Sequence, residues 1–278
     1  MSRPRRLPAL TTALLLLVSC AGVDGGDRLA GAPTSSPSPT TTAPPPTTAD
    51  DLPRVLIAGD SVLAEAAGPL AYAIEATGGA HAAFILGPDL PRDAADESIW
   101  QAAIDRHQPD LVVVSVGHWE YLEVLGDFAE GDLLEPGSYP REVLDPFVDL
   151  VTEDGDRLLW VGPLVIDDAE EAEFVTGLQA DFEALAERRD EVDFVDADNW
   201  IAPDGFTATL PGPDGTPVPV RRADGIHLCP EGQILLAEGL LGVIADDLDL
   251  TPSPTWADEW RAEQEPEPGG CAPGYQGD

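Results

Sequence analysis

The chain contains no lysine. Its 14 basic residues are all arginine, set against 52 Asp and Glu, for a formal net charge of −38. That absence excludes Schiff-base chemistry, a phosphate-cradling lysine of the P-loop kind and a Ser-Lys dyad. The excess of negative charge repels nucleic acid and anionic headgroups, so neither is expected as a partner. Metal-binding spacings are missing too: there is no His-x-x-x-His and no Cys-x-x-Cys, the patterns that gather zinc ligands. The acidic turns Asp154-Gly155-Asp156 and Asp196-Ala197-Asp198 lack a full calcium-loop signature. No Gly-rich dinucleotide fingerprint occurs either. No cofactor and no metal is therefore expected.

Long apolar runs are also lacking. The most apolar stretch, around Leu14 to Leu17, follows Arg3, Arg5 and Arg6 and is too short to span a bilayer. Residues 1–20 read instead as an export signal. The run closes on Leu17-Val18-Ser19-Cys20, which resembles the lipobox of bacterial lipoproteins. The resemblance implies lipidation of Cys20 and anchoring to the outer face of the cell membrane, the only membrane contact expected; cleavage near Ala21 and release is the alternative. Residues 21–50 are rich in Pro, Thr, Ser, Ala and Gly and bury too little apolar surface to fold. Extended, these thirty or so residues reach up to roughly 90 Å, a tether. The remaining domain, 51–278, is of ordinary size for one core.

Cysteine is scarce. With Cys20 assigned to the leader, Cys229 and Cys271 remain. An even remainder in an exported protein points to a disulfide, with two free thiols as the alternative. It would close a loop of about forty residues, be worth roughly 4 kcal/mol, and pin residues 250–278, which read as a weakly structured tail.

Within the domain, short apolar runs alternate with longer amphipathic ones. Strands are expected at 55–58, 82–86, 111–116, 158–161 and 192–195. Helices are expected at about 62–76, 95–107, 141–153, 169–189 and 230–245. The alternation implies an α/β fold, a three-layer doubly wound sheet of five parallel strands with right-handed crossovers. Ligands bind such sheets at the carboxyl ends of the strands. Ser61, Gly87 and Gly117 each follow an expected strand and so gather on that rim.

Serine is infrequent as well: the domain has five, at 61, 98, 115, 138 and 253. Ser61 follows Val55-Leu56-Ile57-Ala58-Gly59-Asp60, an apolar strand running into a tight turn. His227 lies in Asp224-Gly225-Ile226-His227, just before the last strong helix. A serine hydroxyl needs an imidazole to take its proton and a carboxylate to orient that imidazole. Asp224 and His227, three residues apart, can be aimed at one point by a single turn. The other roles open to these residues are a helix N-cap for Ser61 and a turn aspartate for Asp224. Asp60 reads as structural, holding the turn.

Gly59-Asp60-Ser61 after the first strand, glycines after the second and third, and the late Asp224-x-x-His227 together resemble the SGNH (GDSL-type) hydrolases over residues 54–247. Asp224-Gly225-Ile226-His227-Leu228-Cys229-Pro230-Glu231-Gly232, with distal Cys271, looks like SGNH domains of actinobacterial cell-surface proteins, some fused to membrane acyltransferases that O-acylate glycans. The resemblance implies a flavodoxin-like SGNH fold with Ser61 as nucleophile, His227 as base and Asp224 as its orienting carboxylate. It implies an oxyanion hole from the backbone N–H of Ser61, that of Gly87, and a third-block asparagine. Here the chain departs from the pattern: the third block reads Gly117-His118-Trp119-Glu120. His118 or Trp119 carries a ring N–H that could serve, or the hole has two donors only.

These readings imply a monomeric, extracytoplasmic serine esterase acting on a small ester, an acetyl group on a glycan foremost. An O-acyltransferase using the same acyl-enzyme, and a non-catalytic glycan-binding domain, are the alternatives.

Overall fold

The structure is a computed structural model that describes residues 51–86, 90–91, 94–116, 141–153, 155–264 and 271. These residues lie in one compact unit, Thr47–Asp278; the other unit, Met1–Pro46, lies outside the described residues.

The central strands carry almost no polar side chains. β1 (Arg54–Gly59) is buried beyond its first residue and β3 (Leu111–Ser115) throughout. Such strands are stable only where both faces of a sheet are covered, the situation of a parallel sheet. Together with β2 (His81–Leu86), β4 (Arg157–Val161) and β5 (Val192–Val195) they form a five-stranded sheet in the order β2-β1-β3-β4-β5, parallel at every pairing.

Side chains alternate across a strand, and the alternation sorts the core into two layers. Val55, Ile57, Leu111, Val113, Leu159 and Val161 face one side, with α1 (Ser61–Glu75) and a later helix, Pro230–Leu248. Ala58, Val112, Val114, Leu158 and Trp160 face the other. There they meet α2 (Ala94–His107), α3 (Arg141–Val151) and α4 (Ala169–Arg188). Helix α1 buries Leu63, Ala66, Ala67, Leu70, Ala73 and Ile74, the stripe that a 3.6-residue period turns inward. In the second layer an aromatic chain fills the space, with ring centroids 4.8 Å apart for Trp100–Phe147, 5.6 Å for Phe147–Trp160 and 4.4 Å for Trp160–Phe182. The three-layer doubly wound α/β architecture expected from the sequence is the one observed.

Three features depart from the sequence reading. Between β5 and the last core helix stand a short helix, α5 (Asp198–Ile201), and a hairpin of β6 (Thr209–Pro211) and β7 (Pro217–Pro219). Strands of three residues carry too little alternation to register as a pattern. Helix α6 (Pro230–Leu248) outlasts its expected end. The first part of the tail, expected to be weakly structured, holds a helix: α7 (Trp256–Glu263) buries Trp256 and sets Trp260 against Tyr72 of α1, ring centroids 5.6 Å apart.

Cys229, the residue before α6, is joined to Cys271 by a disulfide, with Cα atoms 5.5 Å apart and a sequence separation of 42. A bridge of that span restricts the unfolded chain by about 4 kcal/mol in the chain-entropy model. At about 2–4 °C per kcal/mol for a domain of this size, Cys271→Ser is expected to lower Tm by about 8–16 °C. Calorimetry with and without reductant checks this: reductant should reproduce the shift in the wild type and leave the variant unmoved.

Candidate active site

The site begins where β1 ends. A Cβ on Gly59 would lie 2.3 Å from the Ser115 carbonyl oxygen, so only glycine lets β1 and β3 converge there. The next residue, Asp60, donates its backbone N–H to that same carbonyl at 2.8 Å. Its buried carboxylate accepts from the amides of Val62 at 3.0 Å and Leu63 at 3.3 Å. The cap of α1 is therefore Asp60, not Ser61, and Ser61 becomes the first helical residue. Its N–H is among those that have no acceptor within the helix. Because β2 and β3 flank β1 on opposite sides, this turn sits at the switch in strand order where doubly wound sheets open a crevice.

The second half of the site is a small antiparallel turn. Cys229 donates to the Val220 carbonyl at 3.0 Å and Arg222 to the His227 carbonyl at 2.8 Å, with Arg221 bridged to Leu228. Between them, Gly225 takes φ +74°, the left-handed region that glycine enters without steric cost. One oxygen of Asp224 accepts from the amides of Ile226 at 2.9 Å and His227 at 3.0 Å. The other lies 2.7 Å from Nδ1 of His227. An ionised carboxylate only accepts, so Nδ1 carries the proton. The Nε2 lone pair then faces the Ser61 hydroxyl, whose Oγ is 2.9 Å away. The structure thus brings Ser61, Asp224 and His227 into one hydrogen-bonded line from opposite ends of the domain.

The electrostatics suit that line. Desolvation pushes the Asp224 carboxyl up, but the Ile226 amide, the His227 ring and the His227 amide outweigh it and hold it below its ordinary value. Asp224 stays an anion and can stabilise an imidazolium beside it. A hollow lined by residues next to Ser61 and His227 is walled by Val62, Pro163, Leu164, Ile166 and Ile226, with Asp60, Ser115 and Arg221 as polar members. Arg221 is 3% exposed. It donates to the carbonyls of Ile226 at 2.7 Å and Val165 at 3.1 Å and lies over the Phe206 ring. Burial pushes its guanidinium down to about 10, against the pull of Asp198 and Asp224, so it remains a cation at neutral pH. Asp198 in turn accepts from the Val165 amide at 2.9 Å and from Gln179 at 2.9 Å. The Val165 backbone is thereby held at both its N–H and its C=O.

Of the other residues singled out in the sequence, Gly87, His118, Trp119 and Cys20 lie outside the described residues. Among the described residues, no cluster of three or more His, Cys, Asp or Glu could hold a metal, and no helix is long and apolar enough to cross a membrane. Two contributors escaped the sequence reading. Arg221 is one of an Arg-Arg pair in a turn, a pattern that normally means a solvated surface. Glu65, which contacts the histidine loop, had one available signal: it stands one helical turn after Ser61.

Residues 92–242 match a family described as "Protein of unknown function (DUF459)". No curated protein matches the chain. Among solved structures, a carbohydrate acetylesterase family member from Sinorhizobium meliloti is 19% identical, with TM-score 0.46, over 72% of this chain and 100% of its own. A catalytic mutant of an acetylxylan esterase from Geobacillus stearothermophilus is 16% identical, with TM-score 0.49, over 69% and 94%. An alpha/beta hydrolase enzyme from the metagenome of Lake Arreo, Spain, is 17% identical, with TM-score 0.49, over 68% and 94%.

Proposed function

The chain belongs to the family described as "Protein of unknown function (DUF459)", a description that names no chemistry, and from the site itself we propose that it is a serine esterase of the SGNH type. The observation that carries this is the line Ser61 Oγ, His227 Nε2, His227 Nδ1, Asp224 Oδ2, with contacts of 2.9 Å and 2.7 Å at its two joints.

The chemistry follows from that line. Ser61 Oγ attacks the ester carbonyl carbon while its proton passes to Nε2. The carbonyl oxygen becomes an oxyanion, met by the backbone N–H of Ser61 and by further donors, for which Gly87 and His118 or Trp119 are the candidates. Each such donor is worth about 3 kcal/mol in the transition state. The tetrahedral intermediate collapses, the C–O bond to the alcohol breaks, and Nε2 returns the proton to the leaving alkoxide. Water then attacks the acyl-enzyme, His227 takes its proton, and the released carboxylic acid leaves Ser61 protonated again. An acceptor hydroxyl in place of that water makes the same enzyme an acyltransferase.

The substrate in this reading is a small acyl group, acetyl foremost, on a glycan. The side chains of His227 and Asp224 are 28% and 44% exposed, so an ester on a bulky acceptor can reach them. The protein works outside the cytoplasm as a monomer, held by lipidated Cys20 and the 21–50 tether. The leader and the Cys229–Cys271 disulfide support that location, since such bridges persist in oxidising compartments. A glycan-binding role without catalysis rests on one observation, the missing third-block asparagine.

Fluorophosphonate labelling of the purified protein, with p-nitrophenyl acetate turnover alongside, decides between them. Covalent label mapped to Ser61 together with turnover is the expected result. A folded protein that binds glycan but neither labels nor turns over would replace catalysis with binding.

A further inference from the structure

His227 is gripped from both sides by charged side chains of opposite sign. The carbonyl just before it, of Ile226, accepts from Arg221 at 2.7 Å. The amide just after it, of Leu228, donates to Oε2 of Glu65 at 2.7 Å. Glu65 belongs to α1, the helix that opens with Ser61. Residues four apart share a helix face, so Glu65 and Ser61 meet the same loop. The second Glu65 oxygen, Oε1, lies 2.8 Å from an Arg222 guanidinium nitrogen, and the Glu65 side chain is only 18% exposed. Arg222 itself donates from Nε to the Leu228 carbonyl at 3.2 Å.

Asp224 cannot do the same work. It lies in the loop of His227, three residues away, so its bonds orient the imidazole within the loop but leave the loop's distance from Ser61 unset. The Glu65–Leu228 bond spans 163 residues and crosses that gap directly, from the element of the nucleophile to the backbone beside the base.

We propose that Glu65 is a positioning residue: from the nucleophile's own helix it fixes the histidine loop so that Nε2 meets Ser61 Oγ. This rests on the reading of Ser61 and His227 as nucleophile and base. A misplacement of about 1 Å between reacting groups can cost on the order of 100-fold in rate, so what matters is the reach of the acceptor rather than its charge.

Glu65→Gln, Glu65→Asp and Glu65→Ala in the full chain separate reach from charge. The readouts are kcat and KM on p-nitrophenyl acetate, the second-order rate of fluorophosphonate labelling, and Tm. Gln keeps an oxygen at the same reach for the Leu228 amide; its NH₂ then faces Arg222, a part-exposed side chain that can turn to water, and kcat is expected within about threefold of wild type. Asp keeps the charge but is one methylene shorter; kcat should fall about 10- to 100-fold, KM should stay within about twofold, and labelling should slow by the same factor as kcat. Ala should match or exceed the Asp loss, and if it fails to fold, the Gln and Asp pair still carries the test. A folded Asp variant with wild-type kcat would overturn the proposal. So would a Gln variant as slow as Asp, or a loss confined to Tm or KM. A wild type that neither labels nor turns over would overturn the reading of the site itself, and this role with it.

Discussion

Replacing Ser61 by alanine is expected to abolish both fluorophosphonate labelling and ester turnover while leaving Tm within about 2 °C of wild type. The chemical loss is large because, in the proposed reaction, Ser61 Oγ is the atom that bonds to the ester carbonyl. In serine hydrolases generally, removing the nucleophile costs on the order of 10⁶-fold in kcat. The structural cost is small because the residue that holds the turn is Asp60. It caps α1 through two amides and anchors to the Ser115 carbonyl, and none of these bonds uses the serine side chain. Had Ser61 been the cap, its loss would cost about 1 kcal/mol of stability as well. Label retained in the alanine variant, or a kcat reduced less than about 10-fold, would mean that the labelled nucleophile lies elsewhere.

The two roles that Ser61 and Asp60 divide show how much of the site was legible beforehand. The apolar run at β1, the glycine after it and the single turn from Asp224 to His227 each carry a local signature. They are legible because the physics is local: a buried strand, a close approach, a left-handed residue. The sheet was legible for the same reason, since β1 and β3 are unbroken apolar runs and α1 carries a clear 3.6-residue stripe. Arg221 carries no such signature, and Glu65 only its place one helical turn after Ser61. In a chain with 52 acidic residues, one glutamate on a helix is indistinguishable from a solvated one until the fold brings the histidine loop to it. Arg221 is hidden by the opposite bias, because arginine is seldom fully buried without partners. Its partners here are two backbone carbonyls, which no spacing encodes.

The same distinction explains the tail. Residues 250–278 hold Pro, Glu and Gly in proportions that read as weakly structured. Among the described residues of that stretch, α7 is held by Trp256 and Trp260, which reach back to α1, and Cys271 by its bridge to Cys229. Cys229 is two residues past His227, so the disulfide, α6 and the Glu65 contact all converge on the segment that carries His227.

Asp224→Asn is the sharper test of how that segment works. Asp224 makes three bonds: one oxygen accepts from two amides of its own loop, the other from Nδ1 of His227. Asparagine can keep the loop only by leaving its oxygen on the amides, which turns its NH₂ toward Nδ1. Nδ1 must then accept, the ring proton moves to Nε2, and the atom facing Ser61 can no longer take a proton. The expected loss in kcat is on the order of 10³- to 10⁴-fold, as for the wrong tautomer elsewhere, with the loop intact. Stability carries a separate signature. The Asp224 carboxyl is held below its ordinary value by its three hydrogen-bond donors, against desolvation. Its contribution to folding is therefore fully present above the unfolded carboxylate value, about 3.9, and is lost as pH falls through the lower folded one. The Tm difference between wild type and Asp224→Asn should shrink as pH falls below about 4. A variant within 10-fold of wild-type kcat would remove Asp224 from the mechanism. A Tm difference that grows as pH falls below about 4 would show that its carboxylate is not the stabilised species in the folded protein.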